Sequence, residues 1–359
     1  MSLIAPLPAG PLDVVGDIHG ELTALRELLR HLGYDRWGVH PEGRKLVFVG
    51  DFCDRGPDSP AVLEWVQNLV QAGHAYAILG NHEINLLRED PKDGSGWYFD
   101  VRYQSDQVKY APFNRPAEGQ RQRIVEFLST LPLGLEREDL RIIHAAWVQP
   151  QVEAARAMPA GQVRHEYDRW ELEASRIARD SCIAARMQQE RHDWPHSLED
   201  HAQKPPLLPA HADNELNKGM VNPLKVLTTG VERAAQAPFY AGGKWRFVER
   251  VAWWNQYDEG VPVIVGHYWR RLHPPEKPVH GKQEEELFGS TAPTAWHGLQ
   301  RNVFCVDYSV GGRWVARRAG EPLQARFKLA ALRWPERQLV FDDGTQRPTL
   351  EFQATARAN

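Results

Sequence analysis

Short apolar runs alternate with amphipathic stretches over the first 150 residues of the chain. Four runs have the length and composition of buried strands: Leu12–Val15, Lys45–Val49, Ala75–Leu79 and Leu140–His144. Three stretches between them are predicted to be helices: Glu21–Leu32, Ser59–Ala72 and Glu83–Leu87. The second of these carries Pro60 in its first turn and Gly73 just beyond its end, as helices commonly do. This alternation predicts a layered α/β core with parallel strand pairing.

The sequence pattern changes after residue 150. From Gln151 to about Pro206, polar and charged residues dominate and large apolar residues recur at helical spacing, which predicts an inserted helical segment. The proline-rich stretch 204–219 predicts a loop, and the charged run 282–287 predicts a solvated loop or a helix start. Four later runs are predicted to be strands: Trp245–Val251, Val261–Val265, Val303–Val306 and Trp314–Ala316.

Composition narrows the class of protein. The 359 residues suffice for one large α/β domain with insertions or for two domains. A formal net charge of −4 creates no basic field, so neither nucleic acid nor a membrane is expected as a partner. The three cysteines are far apart in sequence, which suits a reducing compartment. Since we find neither a signal-peptide pattern nor an apolar run of about 18 residues, we expect a cytoplasmic protein.

Three predicted strands each end in a glycine that is followed by polar side chains. The loops are GDIHG at Gly16–Gly20, GDFCDRG at Gly50–Gly56 and GNHE at Gly80–Glu83. They lie roughly 30 residues apart, about one strand-plus-helix repeat. Because parallel strands present their carboxyl ends at one edge of a sheet, where such folds bind ligands, we expect the three loops to meet there.

The polar residues of these loops suit hard divalent metal ions. Carboxylate, amide and imidazole groups favour manganese, iron or zinc over the metals that a thiolate-only site selects. Two further histidines, His144 and His267, follow other predicted strands. The set is large enough for two ions about 3.5–4 Å apart. One ion would take Asp17, His19 and Asp51, and the other would take Asn81, His144, His267 and the shared Asp51.

Together the three loops resemble the signature blocks of the calcineurin-like metallophosphoesterase superfamily. The DRG and GNHE forms resemble its phosphoprotein phosphatase branch, which includes serine/threonine protein phosphatases and bis(5′-nucleosyl)-tetraphosphatases. FCVDYSVGG, at Phe304–Gly312, is similar to the strand and turn that close the domain in that branch. The resemblance covers residues 12–144 and, more loosely, 261–318. It does not specify a substrate.

The resemblance implies a fold and a division of the chain. The fold would be of the α/β class, a layered β-sandwich flanked by helices, with a helical insertion. We expect a catalytic domain formed by residues 1–150 and 245–320, a mainly helical insertion or cap over 151–244, and a C-terminal extension over 321–359. The insertion would cover one side of the metal cleft.

The resemblance also implies roles for the loop residues. The metal ligands would be Asp17, His19, Asp51, Asn81, His144 and His267, with Asp51 bridging both ions. Arg55 would bind phosphate oxygens through its forked guanidinium group, and Asn81 and His82 would also contact the substrate. His82 would protonate the leaving oxygen, and Asp54 would orient His82 and favour its protonated form.

Two motifs depart from the family pattern. The usual His-Gly-Gly is His144–Ala145–Ala146, and the usual Gly-His-Thr is Gly266–His267–Tyr268. The family also carries a second phosphate-binding arginine upstream of the last histidine. No motif locates that residue here, and by position Arg246 and Arg250 are the candidates.

Three functions stay open at this point. The first is two-metal-dependent hydrolysis of phosphate monoesters, on a phosphoprotein or a small phosphorylated metabolite, by a hydroxide that bridges the ions, most readily Mn²⁺. The second is hydrolysis of a dinucleoside polyphosphate, and the third is a metal-binding scaffold without turnover. Four tryptophans near the last histidine either pack in the core or form an aromatic wall for a nucleobase: Trp253, Trp254, Trp269 and Trp296.

Overall fold

The computed structural model describes residues 2–241, 243–273 and 287–353. The strands are β1 (Ile4–Pro6), β2 (Leu12–Val15), β3 (Lys45–Phe48), β4 (Ala75–Ala77), β5 (Gly134–Arg137), β6 (Leu140–Ile143), β7 (Val231–Ala241), β8 (Lys244–Val251), β9 (Val263–Val265), β10 (Val303–Cys305), β11 (Ala330–Trp334), β12 (Gln338–Phe341) and β13 (Gln346–Pro348). The charged run 282–287 lies, apart from Leu287, outside the described residues.

Helices exist at the three positions predicted in the first 150 residues, together with others that were not predicted. The helices are α1 (Leu22–Leu32), α2 (Ser59–Gln71), α3 (Asn81–Leu87), α4 (Asp100–Tyr110), α5 (Gln120–Thr130), α6 (Gln149–Arg156), α7 (Val163–Asp180), α8 (Ile183–Asp193), α9 (Pro209–Met220), α10 (Pro223–Thr229) and α11 (Arg313–Ala319). Helix α1 buries Leu25, Leu28 and Leu32 on one face and ends at the left-handed Gly33. Helix α2 begins at Asp58, whose side chain accepts the N–H of Ala61 at 3.2 Å.

Two sheets form a sandwich. The six-stranded sheet has the order β13-β12-β11-β2-β3-β4, and the five-stranded sheet has the order β1-β5-β6-β9-β10. Strands β2, β3 and β4 are parallel to one another, and β9 is parallel to both β6 and β10. Val14 and Val47 of the first sheet share an apolar core with Ile142, Ile264 and Phe304 of the second. The predicted layered α/β sandwich is therefore confirmed.

The second face of the sheets is covered by helices. Alternate strand residues such as Val15 and Phe48 point away from the inter-sheet core and pack with the leucines of α1 and with Val62 and Val66 of α2. This alternation follows from the two-residue period of a strand. Strands β2, β3 and β4 are thus fixed on both faces, and their carboxyl ends are held at one edge of the sheet.

The segment between β6 and β9, which contains the predicted insertion, consists of helices and a hairpin. Helices α7, α8 and α9 pack against one another, and α9 also packs on the antiparallel pair β7–β8. The strand predicted at Trp245–Val251 exists as β8, and within the described residues it pairs with β7 alone. A small apolar cluster of Leu208, Trp245 and Phe247 holds the hairpin against α9. The domain limits inferred from the sequence stay a prediction.

The C-terminal segment completes the first sheet. Strand β11 pairs antiparallel with β2, so Ala331 lies opposite Val15 and Trp334 lies opposite Leu12. A buried ion pair at 2.5 Å joins Arg313 of α11 to Asp342, which follows β12. Residues 330–348 therefore support the strand that delivers the first polar loop.

Two local predictions were wrong. Trp314–Ala316 lies in helix α11 rather than in a strand, because burial recurs at Arg313 and Ala316, three residues apart, instead of alternating. Most of the stretch 204–219, predicted to be a loop, belongs to helix α9. Pro209 stands in the first turn of that helix, where its missing N–H costs nothing.

None of the described helices is both long enough and apolar enough to cross a bilayer.

Candidate active site

The first two polar loops are joined through their backbones. The N–H groups of Ile18 and His19 both donate to the carbonyl oxygen of Asp51 at 2.9 Å. The N–H of Gly20 donates to the carbonyl of Phe52 at 2.8 Å. The expectation that parallel strands bring these loops together is confirmed by these bonds.

Glu83 joins the second and third loops. This fully buried carboxylate accepts the N–H groups of Asp51 and Phe52, both at 2.8 Å, and that of Gly80 at 3.0 Å. Sequence reasoning gave Glu83 no role. Glu83 lies in the first turn of α3, three residues after Gly80, whose N–H it accepts. This is the arrangement of a capping box, and the sequence spacing could have indicated the role of Glu83.

Five residues of the site adopt left-handed backbone conformations. The φ angles are 47° at His19, 51° at Asp51, 72° at Asp54, 67° at Arg55 and 67° at His267. Such conformations cost free energy for residues other than glycine and cluster at functional sites. The hydrogen bonds that join the loops hold these five residues in place.

Two groups of ligand atoms lie close enough to hold metal ions. His19, Asp51 and His82 form one group, and Asp51, His144 and His267 form the other, with the ligand atoms of each group within 4.8 Å of one another. All five side chains are buried, and the groups share Asp51. A bridging role for Asp51 stays a prediction.

Two of the histidines present a defined nitrogen to the site. Nδ1 of His19 donates to the carbonyl of Cys53 at 2.9 Å, and Nδ1 of His144 donates to that of Val49 at 2.7 Å. Each Nε2 atom therefore faces the site, as a second-shell carbonyl commonly ensures for metal-binding histidines. Oδ1 of Asn81 lies 3.0 Å from Nδ1 of His267 and 3.3 Å from Nε2 of His144.

Asp17 lies beside these groups rather than within either of them. Its carboxylate accepts the backbone N–H of His267, at 3.2 Å for Oδ1 and 3.1 Å for Oδ2. Burial, then the charges of Asp307 and Asp51, raise the pKa of Asp17 well above its usual value. Asp307, which sequence reasoning did not single out, is thus part of the electrostatics of the site. A ligand role for Asp17 stays a prediction.

The donor set fits divalent cations. Buried carboxylates without compensating charge are costly, and a cation beside Asp17, Asp51 and Asp307 would compensate them. Among the described residues, Nε2 of His267 is buried without a hydrogen-bond partner, whereas its Nδ1 lies 3.0 Å from Oδ1 of Asn81. Gly80 permits the close approach, since a Cβ atom there would lie 2.2 Å from Oδ1 of Asp51.

The pKa values of His19 and His82 are shifted in opposite directions. Burial, then the charge of Arg55, hold the pKa of His19 well below its usual value. Burial also disfavours the charged form of His82, but the charges of Asp51 and Asp54 outweigh it, and the pKa of His82 is raised. His19 is therefore suited to be a neutral ligand, and His82 is suited to carry a proton.

Arg55, His82 and Asp54 lie together as predicted from the motif. Nδ1 of His82 donates to Oδ2 of Asp54 at 2.5 Å, and NH2 of Arg55 lies 3.2 Å from Nε2 of His82. Two tryptophans that no motif indicated complete this group. The indole N–H of Trp97 donates to Oδ1 of Asp54 at 2.6 Å, and the guanidinium of Arg55 lies 5.0 Å from the ring centre of Trp269.

The two candidate arginines differ in position. The charge of Arg250 is, after burial, the largest cause that lowers the pKa of His267, so Arg250 lies near that imidazole. Nε of Arg246 donates to the carbonyl of Ala241 at 3.2 Å within the hairpin. A substrate role for either arginine stays a prediction.

The departures from the family pattern have structural counterparts. The N–H of Ala145 donates to the carbonyl of Leu227 in α10, and its own carbonyl accepts the indole N–H of Trp253, both at 3.0 Å. The four tryptophans near the last histidine also differ in burial. Trp253, Trp254 and Trp296 are buried in the core, whereas Trp269 is half-buried over Arg55.

Comparisons with known proteins agree with this geometry. Residues 10–172 match the family model of the calcineurin-like phosphoesterases. A relative from Geobacillus sp. (strain WCH70), named bis(5′-nucleosyl)-tetraphosphatase PrpE [asymmetrical], is 46% identical over 81 residues, 21% of this chain and 33% of that protein. The protein of the same name from Oceanobacillus iheyensis is 49% identical over 80 residues, 21% of this chain and 32% of its own length. The matched segment thus spans about a third of these relatives.

Solved structures give weaker likenesses. The cold-active protein-tyrosine phosphatase of a psychrophile, Shewanella sp., aligns over 96% of this chain and 83% of its own, with 15% identity and a TM-score of 0.45. A protein serine/threonine phosphatase from Saccharomyces cerevisiae aligns over 44% and 48%, with 18% identity and a TM-score of 0.31. TM-scores this low carry no weight beside the family match and the site geometry. Residues 10–172 of the chain are thus similar to the calcineurin-like phosphoesterase family.

Proposed function

We propose that the protein hydrolyses phosphate monoesters, carried by a phosphoprotein or by a small phosphorylated metabolite, and that the reaction depends on two divalent ions, Mn²⁺ before iron or zinc. The observation that carries the proposal is one arrangement. Two buried ligand groups share Asp51, and Arg55 and Asp54 both contact His82, a member of one of these groups. A site with metal ligands, a phosphate-binding cation and a proton donor has what phosphate ester hydrolysis requires.

The metal ligands are assigned as follows. Asp17, His19 and Asp51 would hold one ion, and Asp51, Asn81, His144 and His267 would hold the other. Divalent ions bound there would lower the pKa of water and neutralise the charge of a phosphate group. The remaining contributions come from side chains of the chain itself.

Arg55 binds and orients the phosphoryl group. Its guanidinium reaches both His19 and His82, with nitrogen–nitrogen distances of 3.2 Å, so it lies directly against the ligand groups. A guanidinium presents two parallel N–H donors to phosphate oxygens, which fixes the orientation of the phosphate and stabilises the charge of the transition state. Trp269 packs on the guanidinium and restricts its movement.

His82 supplies a proton to the leaving oxygen. Asp54 holds the Nδ1–H of His82, so that Nε2 faces the site beside Arg55. The raised pKa of His82 keeps a larger fraction of the imidazole protonated near neutral pH, as a general acid requires. Esters with poor leaving groups depend on this proton most.

The second candidate function is hydrolysis of a dinucleoside polyphosphate. The favouring observation is the 46% identity over 81 residues to a protein named bis(5′-nucleosyl)-tetraphosphatase. That segment covers only 21% of this chain. Arg250 lies near His267 on strand β8, which packs on helix α9 of the insertion. We therefore propose that the insertion borders the substrate and decides between a monoester and a dinucleotide.

A substrate panel tests the proposal. The purified protein in Mn²⁺ would be assayed against phosphoserine, phosphothreonine and phosphotyrosine peptides, mononucleotides, p-nitrophenyl phosphate and diadenosine tetraphosphate. Metal-dependent release of inorganic phosphate from monoesters supports the leading proposal, and preference for diadenosine tetraphosphate supports the second. A protein that binds metal and hydrolyses nothing in the panel would be a scaffold, which the joint presence of Arg55, Asp54 and His82 argues against.

The reducing interior of a cell suits the three free cysteines, and we propose a cytoplasmic location.

A further inference from the structure

One short segment contacts both the proton donor pair and the phosphate-binding arginine. Residues 92–98, between α3 and α4, lie against Asp54 and Arg55, which are consecutive and both left-handed, with φ of 72° and 67°. None of the residues 92–98 belongs to the three polar loops. Their contacts with the site are of two kinds.

The first contact is a hydrogen bond to the carboxylate that holds His82. The indole N–H of Trp97 donates to Oδ1 of Asp54 at 2.6 Å, while Oδ2 of Asp54 accepts from Nδ1 of His82. Trp97 is 1% exposed and Asp54 is 1% exposed. Because both oxygens of a buried carboxylate are bonded in fixed directions, the carboxylate cannot rotate, and the imidazole ring of His82 is aimed as well.

The second contact holds the backbone of Arg55. The N–H of Arg55 donates to the carbonyl of Gly94 at 3.1 Å. Gly94 itself is left-handed at 93°, and a Cβ atom there would lie 2.9 Å from Cγ and 3.1 Å from N of Arg55. Any larger residue at position 94 would crowd the backbone N and the Cγ atom of Arg55. The path of the Arg55 side chain therefore requires glycine at this position.

A buried carboxylate from the next helix fixes the segment. Oδ2 of Asp106, in α4, accepts the N–H groups of Gly94 at 3.1 Å and Gly96 at 2.7 Å. Oδ1 of Asp106 accepts from Arg102 at 2.9 Å. The position of residues 92–98 is therefore set from α4, independently of the three loops.

We infer that residues 92–98 form a positioning element, in which Trp97 orients the Asp54–His82 pair and Gly94 sets the path of Arg55. The inference rests on the proposed function, because His82 and Arg55 act there as proton donor and phosphate ligand. It assigns separable tasks to Trp97 and Gly94. Trp97 acts on proton transfer, and Gly94 acts on phosphate binding.

Trp97→Phe tests the first task, since it keeps an aromatic ring and removes only the donor and part of the ring. The kcat for an alkyl phosphate, a poor leaving group, is expected to fall about tenfold, the worth of one hydrogen bond to a charged group. The kcat for p-nitrophenyl phosphate and both KM values are expected to change little. The matched control is Trp147→Phe, because Trp147 is also buried and its indole N–H has no hydrogen-bond partner in the described part of the chain.

Gly94→Ala tests the second task. KM for both esters is expected to rise by roughly tenfold, with the ratio of their kcat values unchanged, because Arg55 is displaced and His82 is not. Gly43→Ala is the control, since Gly43 is also left-handed at 70° but an added Cβ there would meet no atom of the described residues within 4 Å. Equal changes in all four parameters for both variants would mean general disruption of the fold and would overturn the inference.

A measurement without substrate separates failure of the inference from failure of the proposed function. In a ¹H–¹⁵N spectrum, the indole resonance that disappears in Trp97→Phe is expected to shift in Asp54→Asn and to stay unchanged in Glu64→Gln. An indole resonance that does not respond to Asp54→Asn overturns the inference, whether or not the protein has activity. Absence of phosphatase activity in the wild type overturns the proposed function, and the resonance then still tests the contact.

Discussion

The carboxylate of Glu83 accepts the backbone N–H of Asp51 at 2.8 Å. An acid from the third loop therefore holds the residue of the second loop that both ligand groups share. Asp51 is left-handed at 51°, a conformation that costs free energy for residues other than glycine. The position of Asp51 thus depends on Glu83, which belongs to neither ligand group.

Glu83→Gln is expected to weaken both the fold and metal binding. An amide replaces one acceptor oxygen by a donor, which would face the N–H groups of Asp51, Phe52 or Gly80. The free energy of unfolding should fall by about 1–3 kcal/mol, measured in urea. The exposed Glu42→Gln is the control. A Glu83→Gln protein that matches the wild type in stability and in metal affinity by calorimetry would contradict the role given to Glu83.

Asp54→Asn is expected to move the pH profile toward acid. His82 donates its proton from the protonated form, which is present below its pKa. The charge and hydrogen bond of Asp54 raise that pKa, so their removal lowers it, and the alkaline limb of kcat should shift to lower pH. The measurement is kcat against pH for an alkyl phosphate at saturating metal. A limb that stays in place, or moves to higher pH, would refute the role of Asp54.

Asp342→Ala is expected to destabilise the protein without altering the chemistry of the site. Removal of this carboxylate leaves Arg313 buried and without its charge partner, which costs about 3–5 kcal/mol. Asp343→Ala is a close control, because the pair of Asp343 with Lys328 is more exposed and should contribute less than about 1 kcal/mol. Urea unfolding compares the two variants. Similar losses for both would show that burial of the Arg313 pair does not matter.

The loops that form the site could be predicted because their signals are local. A glycine followed by acids or histidines marks the end of each strand, and parallel pairing of β2, β3 and β4 brings those ends together. The same reasoning applies to His144 and His267, which follow the parallel strands β6 and β9 and lie close to Asp51. Short-range patterns and one topological rule were sufficient here.

Other features could not be predicted because they depend on pairing between distant residues. Strand β11 follows its partner β2 by more than 300 residues, and nothing in either sequence specifies the register. The bond from Trp97 to Asp54 depends on how a loop packs across the site. The long strand β7 was missed because bulges and exposed residues interrupt its alternation.

The central claim is that a metal-dependent site centred on Asp51 hydrolyses phosphate esters. Its most direct test compares the wild type with Asp51→Asn, measuring bound metal by elemental analysis and turnover of p-nitrophenyl phosphate in Mn²⁺. The wild type should bind two ions per chain and hydrolyse the ester, whereas Asp51→Asn should lose both metal and at least about a hundredfold in kcat. Undiminished hydrolysis by Asp51→Asn would contradict the claim.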